Sequence, residues 1–229
     1  VNMANKQYDF GLIGLGVMGR NFILNVADHD FSAIGLDRDQ EKVDSLISES
    51  NDKDVTATSD KNEFIAALSK PRKVMLLVPA GGPVDGVIND LKPLLDEGDI
   101  IIDGGNSFFT DTDRRFEELK KAGIHFFGAG VSGGAKGARR GPSIMPGGDK
   151  EAYAHIKPIF EAAAAKVDGE PCVAHLGNGS AGNYVKMVHN GIEYAMMQMI
   201  SEVYSLMKNG LGLSNDGLRL IFEDWNKTE

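Results

Sequence analysis

The feature that most constrains this chain is the glycine-rich turn Gly14-Leu15-Gly16-Val17-Met18-Gly19, which follows an apolar segment and precedes a helical pattern. Residues 9–14 have the composition of a short buried strand, and residues 17–28 have helical periodicity. In such a turn the first glycine allows the tight bend, the second lets the backbone approach a pyrophosphate, and the third lets helix and strand pack closely. We therefore predict that residues 14–19 bind a dinucleotide, in preference to forming a glycine-rich turn without a ligand.

The same alternation of apolar and helical segments continues along the chain. Strands are predicted at residues 32–37, 73–78, 99–103 and 124–129, and helices at residues 41–48, 84–95, 112–122 and 150–165. Strands that alternate with helices over short links favour right-handed crossovers. The predicted fold class is α/β, a doubly wound, Rossmann-like parallel sheet. Residues 143–146 and 172–176 are predicted to add two further strands.

A long helical pattern without proline follows at residues 181–208, and a second helical segment follows at residues 216–225. At 1.5 Å per residue, the first would be about 42 Å long, which is unusual for a helix inside one small domain. We expect a dinucleotide-binding domain at residues 1–178. Residues 179–229 are expected to begin an all-helical domain that this chain contains only in part.

Composition excludes several classes of protein. A net charge of -9 argues against non-specific nucleic-acid binding, which needs a basic face. No run of about 18 apolar residues is present to span a membrane. With one cysteine, Cys172, and five histidines, the chain offers no internal disulfide and little basis for a zinc site, so no metal is predicted. The single cysteine is consistent with a reducing, cytoplasmic compartment.

The choice of dinucleotide depends on three residues that follow the second predicted strand. Asp37 lies 18 residues beyond Gly19, where a carboxylate can accept hydrogen bonds from a ribose and repel a 2′-phosphate. Asp39 adds a second negative charge, and both residues favour NAD. Arg38 could instead hold a 2′-phosphate, stack on adenine or be solvated. The cofactor is therefore predicted as NADP or NAD.

Loops after later strands supply further candidates. In an open parallel sheet, ligands bind beyond the carboxyl ends of the strands, so Val78-Pro79-Ala80 and Asn106 are candidate ligand contacts, although Asn106 is also a common turn residue. Ser132-Gly133-Gly134 could form an anion-binding concavity or a flexible loop. The basic residues that follow could steer an anion toward this loop, but we expect them to be solvated; they are Lys136, Arg139 and Arg140.

The long helix carries polar residues on one stripe. They are Lys186, His189, Asn190, Glu193 and Tyr194. A lysine whose pKa is lowered by burial can act as a general base, and a glutamate can act as its partner acid. Spacing alone favours the plainer interpretation, a solvated helix face.

Several longer stretches are far more specific than the glycine turn. They are IDGGNS at residues 102–107, GVSGG at 130–134, MPGG at 145–148, VKMVHNGIEY at 185–194 and DWN at 224–226. Together they resemble the 6-phosphogluconate dehydrogenase family over nearly the whole chain. The stretch at 185–194 separates the chain from the shorter β-hydroxyacid dehydrogenases, which share the glycine turn, the Ser-Gly-Gly loop and a Lys/Asn pair.

The resemblance implies oxidative decarboxylation of 6-phospho-D-gluconate to D-ribulose 5-phosphate and CO₂ in the pentose phosphate pathway, without a metal, by a homodimer. Lys186 would be the general base and Glu193 the acid that protonates the enediol. Ser132, Gly133 and Gly134 would hold the carboxylate that becomes CO₂. The remaining implied contacts are Asn106, His189 and Asn190 to the hydroxyls and the nicotinamide, and Tyr194 to the phosphate.

Four departures from the family pattern concern the cofactor. Gly16 stands where larger relatives often carry alanine, and Pro79 where relatives usually carry lysine. Ala135-Lys136 replaces an acidic residue, and Asp37-Arg38-Asp39 replaces Asn-Arg-Thr. The alternatives to the implied activity are a β-hydroxyacid oxidoreductase that does not decarboxylate and a non-catalytic dinucleotide-binding module. The second has no need of Lys186 and Glu193 together.

Overall fold

A computed structural model describes residues 6–227 of the chain. It contains two compact units, the first ending at Met187 and the second beginning at Val188. The first unit holds a seven-stranded sheet covered by helices, and the second holds the remainder of a long helix and one further helix. The domain limits expected at residues 1 and 229 lie outside the described residues.

The strands of the first unit are short and mostly apolar. They are β1 (Phe10–Ile13), β2 (Ala33–Leu36), β3 (Val55–Thr58), β4 (Lys73–Leu76), β5 (Ile100–Asp103), β6 (His125–Ser132), β7 (Ser143–Gly147), β8 (Lys166–Val167) and β9 (Glu170–Pro171). The main sheet has the order β3-β2-β1-β4-β5-β6-β7, and β8 pairs only with β9. All pairings from β3 to β6 are parallel, which confirms the doubly wound α/β fold.

Helices connect these strands and continue beyond them. They are α1 (Val17–Ala27), α2 (Gln40–Ser50), α3 (Lys61–Ala66), α4 (Gly82–Leu91), α5 (Phe109–Lys120), α6 (Gly134–Arg140), α7 (Tyr153–Ala163), α8 (Ala181–Ser205) and α9 (Asn215–Trp225). Side-chain caps set several starts: Asp39 caps α2, Asp60 caps α3 and Ser214 caps α9. Each cap accepts hydrogen bonds from backbone N–H groups that have no partner within the helix.

The sheet is buried on both faces. In β5, Ile100 and Ile102 pack in one apolar cluster, whereas Ile101 packs in the other. Since successive strand residues point to opposite faces, the two clusters lie on opposite sides of the sheet. This explains why the central strands are continuous apolar runs.

The structure differs from the expected elements in several places. The strand predicted at residues 172–176 is wrong, because the Val173 N–H donates back to the Pro171 carbonyl at 2.8 Å and only one isolated bridge, to Ile144, forms. Strand β7 is antiparallel to β6, not parallel. Sequence reasoning missed β3 and α3, whose short segments lack a clear period, and also α6, β8 and β9. Helix α8 ends at Ser205, before a π-helical turn at Leu206–Gly210.

Candidate active site

The carboxyl ends of four parallel strands meet at one edge of the sheet. Ile13 of β1 pairs with Leu36 of β2 and with Leu76 of β4, and Leu76 pairs with Asp103 of β5. The turns that follow these strands are therefore neighbours. The chain order reverses between β1 and β4, which is where open α/β sheets bind ligands. The predicted contacts at residues 14–19, 37–39, 78–80 and 106 all follow these strand ends.

The glycine turn has a backbone that only glycine accommodates. Gly14 has φ 98°, and a Cβ there would lie 2.5 Å from the Leu77 carbonyl oxygen. A Cβ at Gly19 would overlap the Gly14 carbonyl, which shows how closely α1 packs on the turn. By contrast, no atom lies within 4 Å of a Cβ built on Gly16, and α1 starts there without a side-chain cap. Open space beside uncapped helix N–H groups fits a phosphate anion.

Asp37 is turned toward the glycine turn. One carboxylate oxygen accepts the Leu15 N–H at 2.8 Å, and the other accepts the Asp39 N–H at 3.0 Å. The Lys42 ammonium lies 3.7 Å from Asp37 and 3.6 Å from Asp39. Asp37 therefore holds the turn in place, and its charge is partly balanced within the protein.

Arg38, between these two acids, has a different environment. Its side chain is exposed, and within residues 6–227 it forms no ion pair. Asp39 meanwhile accepts the Glu41 N–H at 3.1 Å as the cap of α2. Of the three residues, Arg38 is the one whose charged group has no such partner in the described chain.

The turn after β5 is anchored by Asp103, which sequence reasoning did not select. This buried carboxylate accepts the Gly105 N–H at 3.0 Å and the Ser107 hydroxyl at 2.6 Å. Burial raises the pKa of Asp103, and these hydrogen bonds oppose that effect. Asn106 lies exposed between the two anchored residues. In the neighbouring turn, Val78 is half-buried and Pro79 and Ala80 are exposed.

The Ser-Gly-Gly segment joins β6 to α6. Ser132 is the last residue of β6, Gly133 has φ 131° and precedes α6, and Gly133 and Gly134 are exposed. Lys136 is exposed as expected, whereas Arg139 pairs with Asp28, the residue directly after α1. The segment thus presents small, accessible residues at the end of a strand.

Lys186 is held in the first unit by glycine contacts. It is 8% exposed, and a Cβ on Gly130 of β6 would lie 2.5 Å from the Lys186 Cβ. One turn earlier, a Cβ on Gly182 would overlap the carbonyl oxygens of Gly128 and Met145. The start of α8 is therefore packed directly on the backbones of β6 and β7. This close packing buries the stem of Lys186 against the sheet.

Asn183 links the same helix to the turn that carries Asn106. It is 2% exposed, its Oδ1 accepts the Thr112 hydroxyl at 3.1 Å, and its Nδ2 donates to the Gly105 carbonyl at 3.3 Å. Nearby, the Ser180 N–H donates to Asp113 at 2.9 Å. Sequence reasoning missed Asn183, for which the only signal was a polar side chain beside two small residues at a helix start.

The other polar residues on α8 belong to the second unit. The Nδ1 atom of His189 lies 3.2 Å from the Asn190 side-chain oxygen and 3.8 Å from a Glu193 carboxylate oxygen. Glu193 is exposed, and Tyr194 is 68% exposed. The structure therefore groups His189, Asn190 and Glu193 locally, without burying them.

Two negative findings concern residues 6–227 alone. No cluster of three or more His, Cys, Asp or Glu side chains there is arranged to hold a metal ion. No helix in that range combines the length and apolar character that crossing a membrane requires.

Comparison with known proteins places this geometry in a family. Residues 9–177 match the model of the NAD binding domain of 6-phosphogluconate dehydrogenase. The chain belongs to the 6-phosphogluconate dehydrogenase family. Residues 182–229 match the model of the 6-phosphogluconate dehydrogenase C-terminal domain.

Individual relatives agree with the family models. "6-phosphogluconate dehydrogenase, decarboxylating 1" of Saccharomyces cerevisiae is 57% identical over 219 residues, covering 95% of this chain and 45% of that protein. The NADP(+)-dependent decarboxylating enzyme of Bacillus subtilis is 52% identical over 227 residues, covering 99% of this chain and 48% of that protein. The chain thus spans about half the length of these curated relatives.

A solved structure shows the same fold. The 6-phosphogluconate dehydrogenase of Plasmodium falciparum, studied in its apo form and with NADP+ and 6-phosphogluconate, has a TM-score of 0.92 and 44% identity. The match covers 96% of this chain and 47% of that one.

Proposed function

We propose that this chain is the dinucleotide-binding part, with the start of the helical domain at residues 179–229, of an enzyme that oxidatively decarboxylates 6-phospho-D-gluconate. The observation that carries the proposal is the buried position of Lys186. Its stem packs on Gly130, and Asn183 of the same helix bonds to the turn that carries Asn106. A buried lysine beside the strand ends that bind dinucleotides is suited to general-base chemistry.

The chain's own residues supply the proton transfers. The bound dinucleotide would serve as the acceptor of the hydride from C3 of the substrate. Lys186 Nζ takes the proton from the C3 hydroxyl, and the resulting ammonium polarises the new ketone. The bond to the carboxylate then breaks, CO₂ leaves, and its electron pair forms a carbon–carbon double bond while Lys186 returns its proton to the ketone oxygen, which gives an enediol. Glu193 donates a proton to the carbon that lost CO₂, and Lys186 takes the proton back from the enediol oxygen as the new ketone forms.

Substrate contacts follow from residue type and position. The proposal assigns the leaving carboxylate to Ser132, Gly133 and Gly134, where small exposed residues and N–H groups at a strand end can surround an anion. His189 and Asn190, with Asn106, are assigned to hydroxyl groups and the nicotinamide, because their amide and imidazole groups both donate and accept hydrogen bonds. Tyr194 is assigned to the phosphate.

We infer that NADP is the preferred cofactor. Both oxygens of Asp37 accept backbone N–H groups, and Lys42 offsets its charge, so repulsion of a 2′-phosphate is weakened. Arg38 is exposed and has no ion pair in the described chain, so it is free to bind that phosphate. The Bacillus subtilis relative is NADP(+)-dependent by name.

The activity is tested on the full-length protein with 6-phosphogluconate and NADP. We expect reduction of NADP with release of one CO₂ per turnover. Reduction without CO₂ would support the alternative, a β-hydroxyacid oxidoreductase that does not decarboxylate. The 229-residue chain alone should bind NADPH but turn over little substrate, because it spans less than half of its relatives' length.

The cofactor assignment is tested by the ratio of kcat/KM for NADP and NAD. Arg38→Ala should lower this ratio by about tenfold or more, since a charge-assisted hydrogen bond to phosphate contributes about 1.5–3 kcal/mol. Arg219→Ala, which removes an exposed cation of α9 that pairs with Glu223, is the control for loss of a positive charge as such. A wild type that prefers NAD would contradict the assignment and support the role of Asp37 predicted from sequence.

A further inference from the structure

Arg115 of α5 is a charged side chain buried almost completely within the first unit. It is 1% exposed, as buried as the apolar core. Taking a guanidinium out of water is costly unless its donors and its charge are matched by partners. Its contacts therefore indicate which parts of the molecule it holds together.

One side of the guanidinium binds the turn after β4. Its Nε donates to Asp85 at 2.8 Å, and its Nη2 donates to the second Asp85 oxygen at 3.2 Å and to the Gly81 carbonyl at 3.0 Å. This fork holds the N-terminal turn of α4, directly after residues 78–80. The Arg115 guanidinium lowers the pKa of Asp85 to about 2, so the pair is fully charged near neutral pH.

The other side of the guanidinium binds the turn after β5. Its Nη1 donates to the Ser107 hydroxyl at 3.3 Å and lies 3.5 Å from Asp103 Oδ2. Ser107 and Gly105, which flank Asn106, are both bound to Asp103. One side chain therefore joins the two turns that follow β4 and β5.

These two turns belong to one half of the fold. In a doubly wound sheet, β1 to β3 form one mononucleotide-binding half and β4 to β6 form the other. The glycine turn and Arg38, assigned above to the pyrophosphate and the 2′-phosphate, follow β1 and β2. The turns joined by Arg115 thus face the nicotinamide half.

We propose that Arg115 is a positioning residue that sets the spacing of these two turns for the nicotinamide half of the dinucleotide. The inference rests on the dinucleotide binding proposed above. A purely stabilising role explains the arrangement less well, because well-packed apolar residues stabilise a core at least as well as a buried ion pair. An apolar residue could not bind a carbonyl, a hydroxyl and two carboxylates in two separate turns.

The test compares two probes on the 229-residue chain by titration calorimetry: NADPH, and adenosine 2′,5′-bisphosphate, which lacks the nicotinamide half. Arg115→Lys keeps the positive charge but loses the planar guanidinium that binds Asp85 through two nitrogens. We expect it to weaken NADPH binding by about tenfold, the size of one lost charge-assisted hydrogen bond, and to change bisphosphate binding by less than about twofold.

The neighbouring Arg114 provides the matched control. It also binds Asp85, at 2.8 Å, but its side chain is 44% exposed and makes no contact with the Gly81 carbonyl or Ser107. Arg114→Gln should leave both affinities unchanged. If circular dichroism shows that Arg115→Lys does not fold, Asp85→Asn serves in its place, because it weakens the same contacts of the guanidinium. This variant must then bind NADPH more weakly and bind the bisphosphate nearly as well as the wild type.

The outcomes separate this inference from the proposed function. Equal weakening of both probes would show a general structural effect and overturn the positioning role, as would unchanged NADPH binding. If the unaltered chain binds neither probe, the proposed function fails, and the inference falls with it. If the unaltered chain binds both probes, the positioning role is decided by whether Arg115→Lys weakens NADPH binding alone.

Discussion

Helix α8 packs closely on the sheet in the first unit of this chain and is largely exposed in the second. In the first unit, the start of α8 lies on backbone: Gly182 contacts β6 and β7, Asn183 is buried, and Lys186 packs on Gly130. In the second unit, most residues of the same helix are exposed, among them the large apolar residues Ile192 and Met199. Close packing on the sheet therefore involves the first turns of α8, whereas its residues after Val188 are mostly exposed.

The difference indicates how the proposed catalytic groups are positioned. Lys186 is buried in the first unit, where its stem packs on Gly130. Glu193, only seven residues later, has a single described partner, His189 at 3.8 Å. We therefore expect the first unit to retain dinucleotide binding by itself, and the reaction to depend on more of the protein.

The largest effect should follow Lys186→Met in the full-length protein. Loss of a general base should lower kcat by about 10²–10⁴, while NADPH affinity stays nearly unchanged because the glycine turn and Arg38 are intact. Steady-state kinetics and calorimetry measure the two quantities. An active variant, or one that has lost NADPH binding, would refute the role assigned to Lys186.

Gly182→Ala tests the packed part of α8. The added Cβ would overlap two carbonyl oxygens and an amide nitrogen of β6 and β7, none of which can move without shifting the sheet. Overpacking of this kind typically costs about 1–3 kcal/mol in the free energy of unfolding. Urea unfolding of the 229-residue chain measures it, and a variant as stable as the wild type would contradict the close packing.

The first unit should also be sensitive to acid through Asp85. Its pKa of about 2 lies below the ordinary value of 3.8 because Arg115 binds the charged form. A lowered pKa stabilises the fold above pH 4, and this contribution is lost as the pH falls toward 2. Burial raises the pKa of Asp103, which acts in the opposite direction.

Urea midpoints at pH 7 and pH 3 check this expectation. The urea midpoint of the wild type should be lower at pH 3 than at pH 7. The decrease should be smaller in Asp85→Asn, which has no carboxylate to protonate at this position. An equal fall in both proteins would show that other carboxylates account for the acid sensitivity.

The smallest effect is expected from Gly191→Ala, in the exposed part of α8. No atom lies within 4 Å of a Cβ built at this position, so the substitution meets no obstacle. Alanine favours a helix over glycine by about 1 kcal/mol, and the helix should become slightly more stable. Circular dichroism on heating tests this, and a loss of helix stability would show that the space is filled in solution.

Local sequence patterns were sufficient for much of this fold. The glycine turn and the apolar runs of β1, β4 and β5, which alternate with helical segments, predicted the doubly wound sheet and its ligand-binding edge. The helical period at residues 181–208 predicted α8. Each of these signals depends on residues close together in the chain. The strand at residues 172–176 was wrong, since Pro171 redirects its first hydrogen bond into a turn. The polar, non-periodic segment of β3 and α3 gave no signal.

Only the tertiary structure showed which polar side chains hold the ligand-binding turns in place. Asp37, expected to face a ribose, accepts hydrogen bonds from the Leu15 and Asp39 N–H groups with its two carboxylate oxygens. Asn183 and Arg115 gave at most a weak sequence signal, because their partners Thr112 and Gly81 lie 71 and 34 residues away along the chain. Asp103 also contacts Arg115, 12 residues away, in addition to its local hydrogen bonds. A local pattern identifies the turns that can bind a ligand, but the contacts that hold those turns together form only when distant segments meet.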